Sequence, residues 1–112
     1  MAVTTIDAVC AAFNIERIAL LKIDVEGAEP AVIRGASRML GCKRIDAIYM
    51  EFIPEFMSEM NEDVAAFVSL IYSYGYVAFR IQPNGDLGSF MSEEELVRRE
   101  FDGLNVVLLP NN

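Results

Sequence analysis

Apolar residues recur along this chain at two spacings, and the spacing changes from one segment to the next. Ile6, Val9, Cys10 and Phe13 stand at i, i+3, i+4 and i+7, one face of a short helix, with Thr4 or Thr5 as its cap and Asp7 as a first-turn acid. Residues 18–25 (IALLKIDV) are apolar and partly β-branched, too short a run for a core helix, which predicts a buried strand. Helical spacing returns over 29–40, where Val32, Ile33, Ala36 and Leu40 share a face, Pro30 suits the first turn and Gly41 the stop. Residues 45–52 (IDAIYMEF) read as a second strand closed by Pro54, and 53–61 as a loop rich in Met and Glu. A third helix is expected over 62–74, capped by Asn61 and ended by Gly75, with Val64, Phe67, Val68 and Ile71 on one face. Residues 76–82 read as a strand, followed by the turn Pro83-Asn84-Gly85-Asp86. Ser92 and Glu95 form a capping box, with Glu94–Arg98 and Glu95–Arg99 at i, i+4; a last strand over 104–109 stops at Pro110.

Strands alternating with helices imply right-handed crossovers and a largely parallel sheet covered on both faces, part of a doubly wound α/β fold. With 112 residues the chain is expected to be one domain.

Charge and composition narrow the chemistry. Nine Lys and Arg against seventeen Asp and Glu give a net charge of −8, which argues against nucleic-acid binding and against docking on anionic lipid. No apolar run approaches the ~20 residues of a membrane span, and Met1 is not followed by a signal-peptide pattern. Cys10 and Cys42 stand outside any CxxC arrangement, as expected in a reducing, cytoplasmic setting. The chain has no histidine, which removes Ser-His-Asp and Cys-His catalysis and HExxH zinc sites. Chemistry must then run on carboxylates, Lys, Tyr, Cys or a bound cofactor.

In α/β sheets ligands bind beyond the carboxyl ends of the strands. The first strand ends in Lys22-Ile23-Asp24-Val25-Glu26-Gly27, whose period of two sends Lys22, Asp24 and Glu26 to one side. The second ends at Glu51, and if the two strands are neighbours its carboxylate lies close to Asp24. Asp24, Glu51 and Glu26 are therefore the candidate catalytic residues. Asp24 and Glu51 could hold a divalent cation or accept a proton from a substrate hydroxyl. Alternatively Lys22 neutralises one acid and the others favour the next helix N-terminus. Met50, Met57 and Met60 read as core filling, and the tyrosines as packing residues, although one phenol near Glu51 could touch a ligand. Neither GxGxxG nor GxxxxGK[ST] occurs.

At residues 20–36, LLKIDVEGAEPAVIRGA, the sequence resembles the signature segment of the FkbM-type methyltransferases, which use S-adenosylmethionine. Thr4-Thr5-Ile6-Asp7 is similar to the family's lead-in, Tyr49-Met50-Glu51-Phe52 to its next strand, and Gly75-Tyr76 through Arg80-Ile81 to its GY…RI strand. Asn84-Gly85 and Leu104-Asn105-Val106-Val107 extend the likeness. The resemblance implies a partial Rossmann-like class I methyltransferase sheet, mostly parallel with an antiparallel C-terminal strand, whose fourth to seventh strands are 18–25, 45–52, 76–82 and 104–109. It implies methyl transfer to a hydroxyl of a sugar or natural-product intermediate, so the partner is a small-molecule or glycan acceptor. It places Asp24 near the transferred methyl; in catechol-type relatives the equivalent acid binds a metal.

The family's glycine-rich cofactor loop and ribose-binding acid have no counterpart in this sequence, so the chain resembles the C-terminal half of the domain. Its first strand would then lie at an exposed apolar edge. The expected consequences are a homodimer, association with an N-terminal half, or poor solubility, with weak or no activity for the chain alone. The competing expectation is a non-catalytic association module pairing through that edge.

Overall fold

A computed structural model describes residues 4–98 and 104–111. Its elements run α1 (Ile6–Ala12), β1 (Leu21–Ile23), α2 (Glu29–Arg34), α3 (Ser37–Gly41), β2 (Ile48–Phe52), α4 (Pro54–Glu59), α5 (Val64–Ser73), β3 (Tyr76–Ile81), β4 (Leu87–Met91), α6 (Glu93–Val97) and β5 (Leu104–Pro110). The strands form one five-stranded sheet in the order β1-β2-β5-β3-β4. Because β2 and β3 each run antiparallel to β5, and β1 runs parallel to β2, the strands β1, β2 and β3 share one direction.

This corrects the mostly parallel expectation. Only β1–β2 is a parallel ladder; β5 inserts between β2 and β3, and β4 adds a hairpin, so three ladders are antiparallel. β4 had no signature in the sequence because Gly88 and Ser89 interrupt its apolar pattern, yet Met91 and Phe90 pair with Ala78 and Phe79. The predicted strand over 18–25 shortens to three residues, preceded by an isolated bridge from Ile18 to Ile45.

The helices lie on one face of the sheet, not two. Ile33, Leu40, Met57, Phe67, Ile71 and Leu96 join Ile48, Met50, Phe52, Tyr76, Val106 and Leu108 in a single buried cluster. Residues that alternate with these along the strands, such as Tyr49, Phe79 and Val107, are only half-buried, and Glu51 and Phe90 are exposed. The reason is topological. The chain steps from β1 to β2 to β3 in one direction across the sheet, so crossovers of one hand deliver every connecting helix to the same side. Coverage of the second face requires a reversal of direction, which the described residues do not contain.

The helix expected over 29–40 breaks into α2 and α3. Asp7 causes the break: its backbone N–H donates to the Gly35 carbonyl, and its carboxylate accepts from the amides of Arg38 (2.7 Å) and Met39 (3.1 Å). A residue of α1 thus caps α3, whose own N-cap, Ala36, has no side chain able to do so. The expected 53–61 loop contains α4, started by Pro54, and its Met57 is fully buried. For α5 the cap is Asp63, not Asn61: Ala66 N–H donates to its carboxylate at 3.1 Å. The capping box of Ser92 and Glu95 forms, as does the Glu94–Arg98 pair; the Glu95–Arg99 pair lies outside the described residues.

Two ties hold the layers. The buried Tyr76 hydroxyl donates to the Ile45 carbonyl at 2.6 Å, and Tyr72 on α5 donates to the Met91 carbonyl at 2.5 Å. Arg34 grips Glu62 bidentately, at 2.8 and 3.0 Å, which fixes α2 to the segment leading into α5 and holds the Glu62 carboxyl below its ordinary range.

Tyr76→Phe should leave the Ile45 carbonyl without its partner and cost roughly 1–3 kcal/mol in urea denaturation. Burial pushes the Tyr72 and Tyr76 phenols above their ordinary value. Since the unfolded phenols ionise first, near pH ~10, that stability is complete below this pH and is lost as pH rises through the folded values. Alkaline titration by phenolate absorbance should show both groups ionising late, together with unfolding.

Candidate active site

β1 and β2 are adjacent and parallel, with Ile23 registered on Met50, so Asp24 and Glu51 each follow a paired residue at the same rim of the sheet. Both carboxylates are exposed. Glu51 pairs with Asn105 of β5. Lys22 meets neither acid in an ion pair among the described residues; its ammonium sits 6.0 Å from the centre of the Tyr49 ring.

Glu26 departs from the expected alternation. The strand ends at Ile23, and Glu26 takes φ +46° and Gly27 φ +106°, two consecutive left-handed residues that turn the chain from β1 into α2. Two features enforce this turn. A Cβ on Gly27 would lie 2.5 Å from the Phe56 carbonyl oxygen, so only glycine allows α4 to close on it. Glu29, only 4% exposed, accepts the Gly27 N–H at 2.8 Å and pins the turn from within. By its position in the sequence Glu29 is only a helix start, yet in the EGAE run it is the acid that fixes the loop bearing Asp24 and Glu26.

Among the described residues no three His, Cys, Asp or Glu side chains gather as a metal-binding group. Nor do these turns fit a cofactor cradle. The close backbone approach at Gly27 is filled by Phe56 of the same chain, and Gly75 faces the Lys43 side chain. The described residues therefore contribute a rim of carboxylates without a nucleotide-binding glycine loop.

Beside that rim lies a groove of about 590 Å³ that the sequence did not reveal. Among the residues lining it are Tyr49 of β2, Arg80 of β3, Asn105 of β5 and Gln82 of the β3–β4 turn. Only Tyr49 had a signal, as a tyrosine near Glu51. The others meet because β5 inserts between β2 and β3.

A mixed α/β sheet with exposed acids at its strand ends and a groove at the same rim has the layout of an enzyme that works beyond the carboxyl ends of its strands. Comparison of the sequence with protein families matches the Methyltransferase FkbM domain over residues 1–78, well over half of the chain, and the chain belongs to that family. No curated protein and no solved structure matches it. The matched stretch contains Asp24, Glu26, Glu29 and Glu51, whereas Arg80, Gln82 and Asn105 lie beyond it. Among the described residues no helix is long and apolar enough to cross a membrane.

Gly27→Ala should force α4 away from the turn and destabilise the chain by more than the ~1–3 kcal/mol of backbone strain alone. Glu29→Ala, which leaves the Gly27 N–H unpaired, should cost roughly 1–3 kcal/mol. Thermal melts followed by circular dichroism test both.

Proposed function

We propose that this chain forms the acceptor-facing part of a methyltransferase that takes its methyl group from S-adenosylmethionine and delivers it to a hydroxyl oxygen of a sugar or natural-product intermediate. The observation that carries this reading is the meeting of Asp24 and Glu51 at one rim of two adjacent parallel strands, inside the stretch that matches the family. A carboxylate oxygen of Asp24 or Glu51 accepts a hydrogen bond from the acceptor hydroxyl, orients its lone pair and takes its proton. Glu26, on the turn pinned by Glu29, supplies further negative charge at that rim. Such a reaction needs little acid-base work, in keeping with a chain that has no histidine.

The order β1-β2-β5-β3, with β5 reversed, supports reading these strands as the fourth, fifth, seventh and sixth of a class I methyltransferase sheet. On this reading S-adenosylmethionine is held mainly by a glycine-rich half that this sequence lacks, and the two free cysteines are in keeping with a cytoplasmic setting. That half, or a second copy of the chain, would cover the open face and pair with β1.

In methyl-transfer assays with the chain joined to such a half, Asp24→Asn and Glu51→Gln should each reduce turnover by about 100-fold or more, the scale of general acid-base catalysis. Circular dichroism should be unchanged, and retained turnover removes both acids from the mechanism.

The uncovered face and the β1 edge favour a second reading, a non-catalytic association module. Under that reading the chain assembles in sedimentation experiments, yet calorimetry shows no S-adenosylmethionine binding even with the complementary half present. Under the first reading the complementary half restores binding.

A further inference from the structure

We propose that Cys10 and Cys42 form a reversible disulfide when the chain meets a peroxide, with Cys42 as the attacking thiol and Cys10 as the resolving one. They are the two cysteines of the sequence, so a disulfide within the chain has one possible pairing.

Two tethers bring them to the same cleft. At its start the Asp7 carboxylate of α1 accepts the amides of Arg38 and Met39 of α3. Beyond its far end the Ile18 N–H donates to the Arg44 carbonyl and the Asp46 N–H to the Ile18 carbonyl, both at 2.8 Å. Segments 7–18 and 38–46 therefore run side by side in one direction. Cys10 follows Asp7 by three residues and Cys42 follows Arg38 by four, about one helical turn in each case, so the two stand at the same level. Between the segments lies a cleft of about 390 Å³ whose lining includes Cys10, Met39 and Cys42. The two helices approach to within 8 Å, Cα to Cα. A disulfide spans about 4.4–6.8 Å between Cα atoms, so closing the bond asks for a small approach of one wall.

Burial divides the roles. Cys42 is exposed, whereas Cys10 is only 5% exposed, so a dissolved peroxide meets Cys42 first. The Cys42 thiolate attacks one peroxide oxygen, the O–O bond breaks, and hydroxide leaves a sulfenic acid on Cys42. Cys10 then attacks that sulfur; the S–O bond breaks, and the hydroxyl leaves with the Cys10 proton as water. The first hydroxide takes up the proton given up by Cys42. Two thiols have lost two electrons, and the peroxide has become two waters. The new ring, residues 10–42, contains β1 and the Glu26–Gly27 turn, so oxidation removes freedom from the segment bearing Asp24 and Glu26. A dithiol reductant reverses it.

The test treats the reduced full chain with one equivalent of hydrogen peroxide and maps tryptic peptides without reduction. We expect peptides 1–17 and 39–43 to appear joined and two hydrogens lighter, and to separate again with dithiothreitol. Equilibration in glutathione buffers measures how strongly the fold favours the pair. The effective concentration of one thiol toward the other should be at least about tenfold higher in native buffer than in denaturing urea. With dimedone as the trap, Cys10→Ala should accumulate a labelled sulfenic acid on Cys42, and Cys42→Ser should show no label.

Cys42–Cys42 dimers in place of the joined peptides, or a labelled Cys10 in Cys42→Ser, would each overturn the inference. So would an effective concentration no higher in the native chain than in urea. That last measurement uses the parent sequence, so it decides the matter even where Cys10→Ala fails to fold.

Discussion

The architecture depends on a constraint of chain direction. Every step from β1 through β2 to β3 crosses the sheet the same way, with β5 fitted afterwards into the gap between β2 and β3. Crossovers of one hand then have only one side on which to leave their helices. From this follow a core formed entirely between one helical layer and one sheet face, a second face whose tyrosine, valine and phenylalanine side chains stay partly in water, and a groove at the sheet's rim. The carboxylates Asp24 and Glu51 reach this rim because the same constraint sets β1 and β2 side by side and parallel.

Most of the elements were legible in the sequence because their signals are local. The i, i+3, i+4 spacing of α5, the Ser92–Glu95 capping box and Gly75 as a helix stop depend on residues within a few positions of one another. What could not be read depends on distant partners. The break between α2 and α3 is made by Asp7, about thirty residues earlier. The strand β4 acquires its conformation from pairing with β3, since its glycine and serine carry little intrinsic preference for an extended chain. The antiparallel majority follows from where β5 inserts, which no period in the sequence records.

The site divides along the same line. The strand-end acids could be located from the run that precedes each of them and from the rule that ligands meet the carboxyl ends of strands. Glu26 could not be oriented, because alternation stops at Ile23 and a left-handed turn takes over. Glu29, the acid that fixes this turn, has the sequence context of an ordinary first-turn glutamate, yet its carboxylate is buried against the Gly27 amide. Arg80, Asn105 and Tyr49 belong to three strands that become neighbours only once the sheet is assembled.

The shortness of β1 has a consequence for how such a sheet can grow. Its ladder with β2 runs for three residues, Leu21 to Ile23, and the chain then turns away at Glu26 and Gly27. A newcomer docking edge-on finds few backbone rungs before meeting a negatively charged corner. Lateral extension into a fibril, which needs long flat templates on both sides of every subunit, is thereby discouraged. What remains favourable is a single capping event, with side chains and not main-chain ladders supplying most of the contact.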